Sequence, residues 1–144
     1  MKVLAFIASS LHEQSYALLN LFEVELKDKL EEMGVKVVDA SADAPTVVDL
    51  IKEANPEEIV LVGVSLSRKE PGVYVYKPKP KEVRDYYELA TLARATLTGY
   101  LDISALIDGI QVFAPELLEK MIVVECVPPC KDLKEKVLEV LKAS

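Results

Sequence analysis

The sequence predicts a single α/β domain, three layers deep (α/β/α), around a mostly parallel sheet of about five strands. Three observations carry that expectation. Largely apolar runs of strand length occupy residues 3–8, 58–64 and 121–126, the first with no polar residue at all, the mark of a strand buried on both faces. Stretches of helical periodicity separate the early runs, giving the order βαβαβ that a parallel sheet requires. Only residues 65–72 separate the third strand from the next apolar run. That gap cannot hold a crossover helix, so the fourth strand is expected to run antiparallel to the third.

The elements follow in order. Residues 3–8 form the first strand, ended by Ser9 and Ser10. The apolar run stops at Ala8 in a polar loop, which favours a buried strand over a signal peptide. A helix is expected from about Gln14 to Met33, with Tyr16, Leu19, Leu21, Phe22, Leu26 and Leu30 near helical spacing and Gly34 as its left-handed cap. The second strand takes residues 35–38. Pro45 opens a helix over residues 46–54, and Asn55-Pro56 stops it. The third strand spans residues 58–64 and the fourth 73–76. Helical patterns over residues 83–95 and 103–109 precede the last core strand at 121–126, and an amphipathic helix over 132–142 closes the chain. The length of 144 residues suits one core, with no repeat and no linker. Lys77-Pro78-Lys79-Pro80-Lys81 reads as a solvated loop.

Composition excludes several classes. Hydrophobic residues make up 51% and charged residues 28%, a globular balance rather than a disordered one. The formal net charge of −7 argues against nucleic acid or an anionic membrane surface as a partner. No apolar run approaches the ~18–20 residues of a membrane span. Two cysteines are too few for a secreted disulfide scaffold, so a cytoplasmic protein is expected. The lack of Trp, the scarcity of Asn and Gln and the abundance of Glu and Lys fit a thermophile.

Open α/β sheets bind ligands beyond the carboxyl ends of their strands. The first such loop, Ser9-Ser10-Leu11-His12-Glu13-Gln14-Ser15, leads into a helix and holds the only His. Its free N–H groups suit an anion; equally, Ser10 or His12 caps the helix and Glu13 complements its dipole. The second loop is 65–70. The third carries Cys126 and Cys130, which leave three readings open. They are two ligands of a metal with His12 as a third, or a packed strand cysteine followed by a surface thiol, or a disulfide. Tyr74, Tyr76, Tyr86, Tyr87 and Tyr100 crowd the middle of the chain. They suit an aromatic ligand platform, or rings that pack while their hydroxyls stay wet.

Four stretches resemble a known family. They are the opening strand, loop and long helix over residues 3–30; Glu58-Ile-Val-Leu-Val-Gly-Val-Ser65 with Lys69-Glu70-Pro71-Gly72-Val73-Tyr74; Leu101-Asp-Ile-Ser-Ala-Leu-Ile-Asp108; and Lys120-Met-Ile-Val-Val-Glu-Cys-Val-Pro-Pro129. In this order they resemble the hydrogenase maturation endopeptidases, which trim the C-terminal tail of the nickel hydrogenase large subunit. The resemblance implies a nickel-dependent peptidase scaffold and, as partner, a hydrogenase large subunit or an assembly protein. The family's glycine loop after the first strand falls on Ala5-Phe6-Ile7-Ala8. Its three metal positions fall on Gln14, Gly63 and Tyr100, so none keeps the family's acidic or imidazole ligand. A one-residue shift would bring Glu13 to the first position, and Asp102 lies near the third. The implied protein is a relative whose site is altered or inactive. Two other classes fit the same segments. One is a flavodoxin-like FMN binder, with Ser9, Ser10 and Ser15 around a phosphate. The other is a pure protein-interaction module.

Overall fold

In the computed structural model, strand β1 (Lys2–Phe6) lies between β2 (Val35–Asp39) and β3 (Glu58–Val64), parallel to both. Residues 1–7, 17–18, 20–41, 44–65, 68–80, 85, 87, 90 and 103–142 are described. On the far side of β3 runs β5 (Met121–Val127), also parallel, and β4 (Gly72–Tyr76) pairs antiparallel with β5 at the edge. The order is β2-β1-β3-β5-β4. The fold is therefore α/β with a five-stranded, mostly parallel sheet and one antiparallel strand, as the sequence predicts. β4 runs opposite to β3 as expected, but β5 lies between them. Burial explains the exchange. β5 is buried at six of its seven positions, whereas β4 has none buried and leaves Val75 43% exposed. The interior slot goes to the strand with two apolar faces.

Helices cover both faces. On one face, α2 (Ala44–Ala54) and α3 (Ile103–Phe113) pack on Val3, Ala5, Ile59, Leu61, Met121 and Val123. On the other, the segment 20–32 and α4 (Leu133–Lys142) pack on Leu4, Phe6, Val60, Val62, Val124 and Cys126. The α1 helix (Lys27–Glu32) is shorter than the helix expected over residues 14–33, because a π-helical stretch, Asn20–Glu25, precedes it. Spacing gives the reason. The buried residues are Leu18, Phe22, Leu26 and Leu30, four apart throughout. On an ideal α-helix each step of four drifts by about 40°. The wider turn, closed by Leu26 N–H on the Leu21 carbonyl at 2.9 Å, brings the row back to the sheet. Phe22 then stacks on Phe6 at 5.6 Å between ring centroids.

The stops are those the sequence marks. Gly34 takes φ +82° where α1 turns into β2, and Asn55 takes φ +49° after α2, left-handed positions that suit Gly and Asn. α3 instead runs past Gly109 to Phe113. Ile103, Leu106, Ile110 and Ala114 form one buried stripe. Burying Ile110 contributes roughly 1.5–3 kcal/mol, more than the ~1 kcal/mol that a helical Gly costs. A 3₁₀ turn, Pro115–Lys120, then buries Leu117 and Leu118 before β5, where the sequence predicts no element. Most of the helix expected over residues 83–95 lies outside the described residues. Among the described residues, no helix is long and apolar enough to cross a membrane.

Candidate functional site

The carboxyl ends of β3 and β5 meet the antiparallel edge strand, and three paired positions line up across them: Gly63, Glu125 and Tyr74. Glu125 is a charged residue in an otherwise apolar strand and is only 6% exposed. A carboxylate in that position needs partners. The Tyr76 hydroxyl donates to its Oε1, and Arg68 Nε donates to its Oε2 at 3.4 Å. The loop after β3 is fixed in turn. Ser65 N–H donates to the Cys126 carbonyl at 2.8 Å, and Ser65 Oγ accepts from the Arg68 N–H at 3.1 Å. The Arg68 guanidinium lies 4.3 Å from the Tyr74 ring centroid and 5.6 Å from that of Tyr76, a cation–π platform. The Tyr74 hydroxyl donates to the Glu70 carbonyl at 2.9 Å.

The result is a half-exposed cation, immobilised by a buried carboxylate and two rings, at the ligand-binding end of an open sheet. Such a group suits an oxyanion. It is not built for proton abstraction. Burial, reinforced by the Glu125 hydrogen bond and charge and opposed by Arg68, pushes the Tyr76 hydroxyl well above the ordinary tyrosine range. Tyr76 is therefore a donor and not a base.

This carries a pH prediction. A raised pKa in the folded state means that the unfolded chain loses this proton first. The corresponding stability is fully present below about pH 10, the unperturbed tyrosine value, and is lost as pH rises further. Tyr76→Phe should lower stability at neutral pH by about 1–3 kcal/mol, because Glu125 Oε1 loses its buried donor. The same variant should also flatten the alkaline decline. Urea titrations at neutral and alkaline pH read both effects, and an unchanged alkaline limb in Tyr76→Phe counts against the assignment.

Of the residues the sequence singled out, Ser9, Ser10, His12, Glu13, Gln14, Ser15 and Tyr100 lie outside the described residues, as does Tyr86. Tyr87 is exposed, while the hydroxyls of Tyr74 and Tyr76 are bonded within the protein rather than left to water. Of the three readings of Cys126 and Cys130, the structure has the disulfide. Among the described residues, no three His, Cys, Asp or Glu side chains gather as a metal cage.

Gly63 lies at the end of β3 against α3. A Cβ built there falls 2.7 Å from Ile103 Cδ1 and 2.8 Å from Cγ1, so the Ile103 side chain fills the place a longer residue would take. From sequence, Arg68 and Glu125 carry no role, and Tyr76 is marked only as one of five tyrosines in the middle of the chain. The available signal was Glu125 itself, a charge inside an apolar strand. The chain matches no protein-family model, no curated protein and no solved structure.

Proposed function

We propose that this chain is a relative of the hydrogenase maturation endopeptidases that has kept the scaffold and lost the family's metal site. In this reading it acts by binding a hydrogenase large subunit or an assembly protein rather than by cutting one, and it works in the cytoplasm. The observation that supports the reading best is Gly63. The resemblance puts a carboxylate ligand at this position, and Ile103 fills the space instead. A metal site built from carboxylate and imidazole groups on separate elements cannot spare one of its few anchors. The order of segments, with a short loop and Pro71-Gly72 leading into β4, supports the scaffold. The fold alone would not specify a function.

Affinity capture of the tagged chain from its own host, followed by mass spectrometry, tests the partner. Recovery of a nickel hydrogenase large subunit or an assembly protein is expected. Its absence, from a host that expresses the hydrogenase, would sink the reading. Calorimetric titration with micromolar nickel is expected to give no binding heat, and tight nickel binding would overturn the loss of the metal site.

A further inference from the structure

We propose that the Cys126–Cys130 bond is a thiol-exchange site, opened at Cys130 by a small zwitterionic thiol of the amino-acid or peptide class. The inference is independent of the hydrogenase reading. It rests on where the bond lies. The two cysteines are four residues apart, with Cα atoms 5.4 Å apart. Cys126 is the penultimate residue of β5 and is fully buried in the apolar layer beneath α4. Cys130 is only partly buried, and it lines a cavity of about 360 Å³ with Val127, Pro129, Lys131, Asp132 and Lys136. That volume is within the ~300–1,000 Å³ usual for small-molecule sites.

The two ends of the disulfide therefore differ. Exchange needs a thiolate to reach one sulfur while the other leaves. Of the two cysteines, only Cys130 borders the cavity. The charges beside it suit a particular class of thiol. The lining includes Lys131 and Lys136, residues of a type that pairs with carboxylates, and Asp132, of a type that pairs with an α-ammonium. Lys136 also pairs with Glu139 at 3.7 Å on an exposed helix face, where water competes for the contact.

The step balances without a further oxidant or reductant. The incoming thiolate attacks Cys130 Sγ, a mixed disulfide forms there, and the Cys126–Cys130 bond breaks. Cys126 leaves as the thiolate and takes the proton given up by the incoming thiol. A protonated Cys126 is a small apolar residue in an apolar layer, which suits its surroundings. A second thiol attacks the sulfur of the first, Cys130 leaves and is protonated, and the small-molecule disulfide departs. The protein gains two thiols while two small thiols are oxidised to one disulfide.

The test uses the intact oxidised protein with reduced glutathione as the charged probe and 2-mercaptoethanol as the neutral one. Samples are acid-quenched over time and mapped by peptide mass spectrometry. Glutathione is expected on Cys130 and not on Cys126. Lys131→Ala/Lys136→Ala should slow the glutathione reaction about 3- to 10-fold at low salt, with the 2-mercaptoethanol rate within about 2-fold. Attachment to Cys126 would overturn the proposal. So would a bond that resists both thiols until the chain is unfolded in urea, or a double variant that slows both probes equally. Cys126→Ser, which leaves Cys130 as the sole thiol, provides the check on folding. It should still take up glutathione from oxidised glutathione at Cys130, and failure to do so while folded would also overturn the proposal.

Discussion

Gly63→Ala should lower the stability of the protein by about 1–3 kcal/mol, the usual cost of forcing an extra carbon into a filled core. The added Cβ meets Ile103 Cδ1 and Cγ1 at 2.7 and 2.8 Å. Gly63→Asp should cost more. Its carboxylate would enter an apolar layer and would sit across the strand pair from Glu125, a like charge. Ile103→Ala removes both obstructing atoms and should itself cost roughly 2–5 kcal/mol as a cavity. The informative quantity is the coupling. Gly63→Ala/Ile103→Ala should be more stable than the sum of the single changes implies by about 1 kcal/mol or more, read from urea midpoints in a double-mutant cycle. Strict additivity would mean that Ile103 swings aside freely, and Gly63 would then be no barrier to a ligand at that position.

Glu125→Ala is expected to be the more damaging change on the neighbouring strand, at about 3 kcal/mol. It strands the Tyr76 hydroxyl and opens a void beneath Arg68. Most of that loss belongs to Tyr76 and to packing. The Arg68 side chain is 41% exposed, so water replaces much of what its ion pair provides. Two controls separate the contributions. Glu125→Gln keeps an acceptor in place and should lose about 1 kcal/mol, whereas Arg68→Ala should lose no more than about 1 kcal/mol. Denaturant unfolding of the three variants checks the ranking. A Glu125→Ala protein as stable as the parent would show that the buried carboxylate gains nothing from its partners.

The contrast between these two positions shows what could be read from the chain and what could not. The central strands were legible, because an apolar run such as Glu58–Val64 has few other uses at that length. Gly34 and Asn55 marked real ends, since few residues accept a left-handed backbone. The slot of β5 between β3 and β4 was not legible. Pairing between segments some 50 residues apart leaves no local trace, and only the comparison of burial along β4 and β5 accounts for it. The π-helical stretch had a trace, the strict spacing of four from Leu18 to Leu30, but it resembles ordinary helical periodicity closely enough to be absorbed into it. The site shows the same division. Arg68 and Glu125 are 57 positions apart in sequence. A resemblance directs attention to Gln14, Gly63 and Tyr100, positions defined by what another family needs. The network around Glu125 is instead defined by what this chain buries.

The first strand and the last helix also meet. The Lys2 ammonium donates to the Leu141 carbonyl, and the Glu57 N–H donates to the Met1 carbonyl at 2.9 Å. The beginning of β1 and the end of α4 therefore share the amino-terminal rim of the sheet, while Glu125, Arg68 and the Cys130 cavity lie toward the opposite rim. A tether attached at either place orients the molecule the same way. On a sensor chip or a resin, the protein would present its carboxyl-terminal rim to the solution, so immobilisation itself selects the face that a partner can reach.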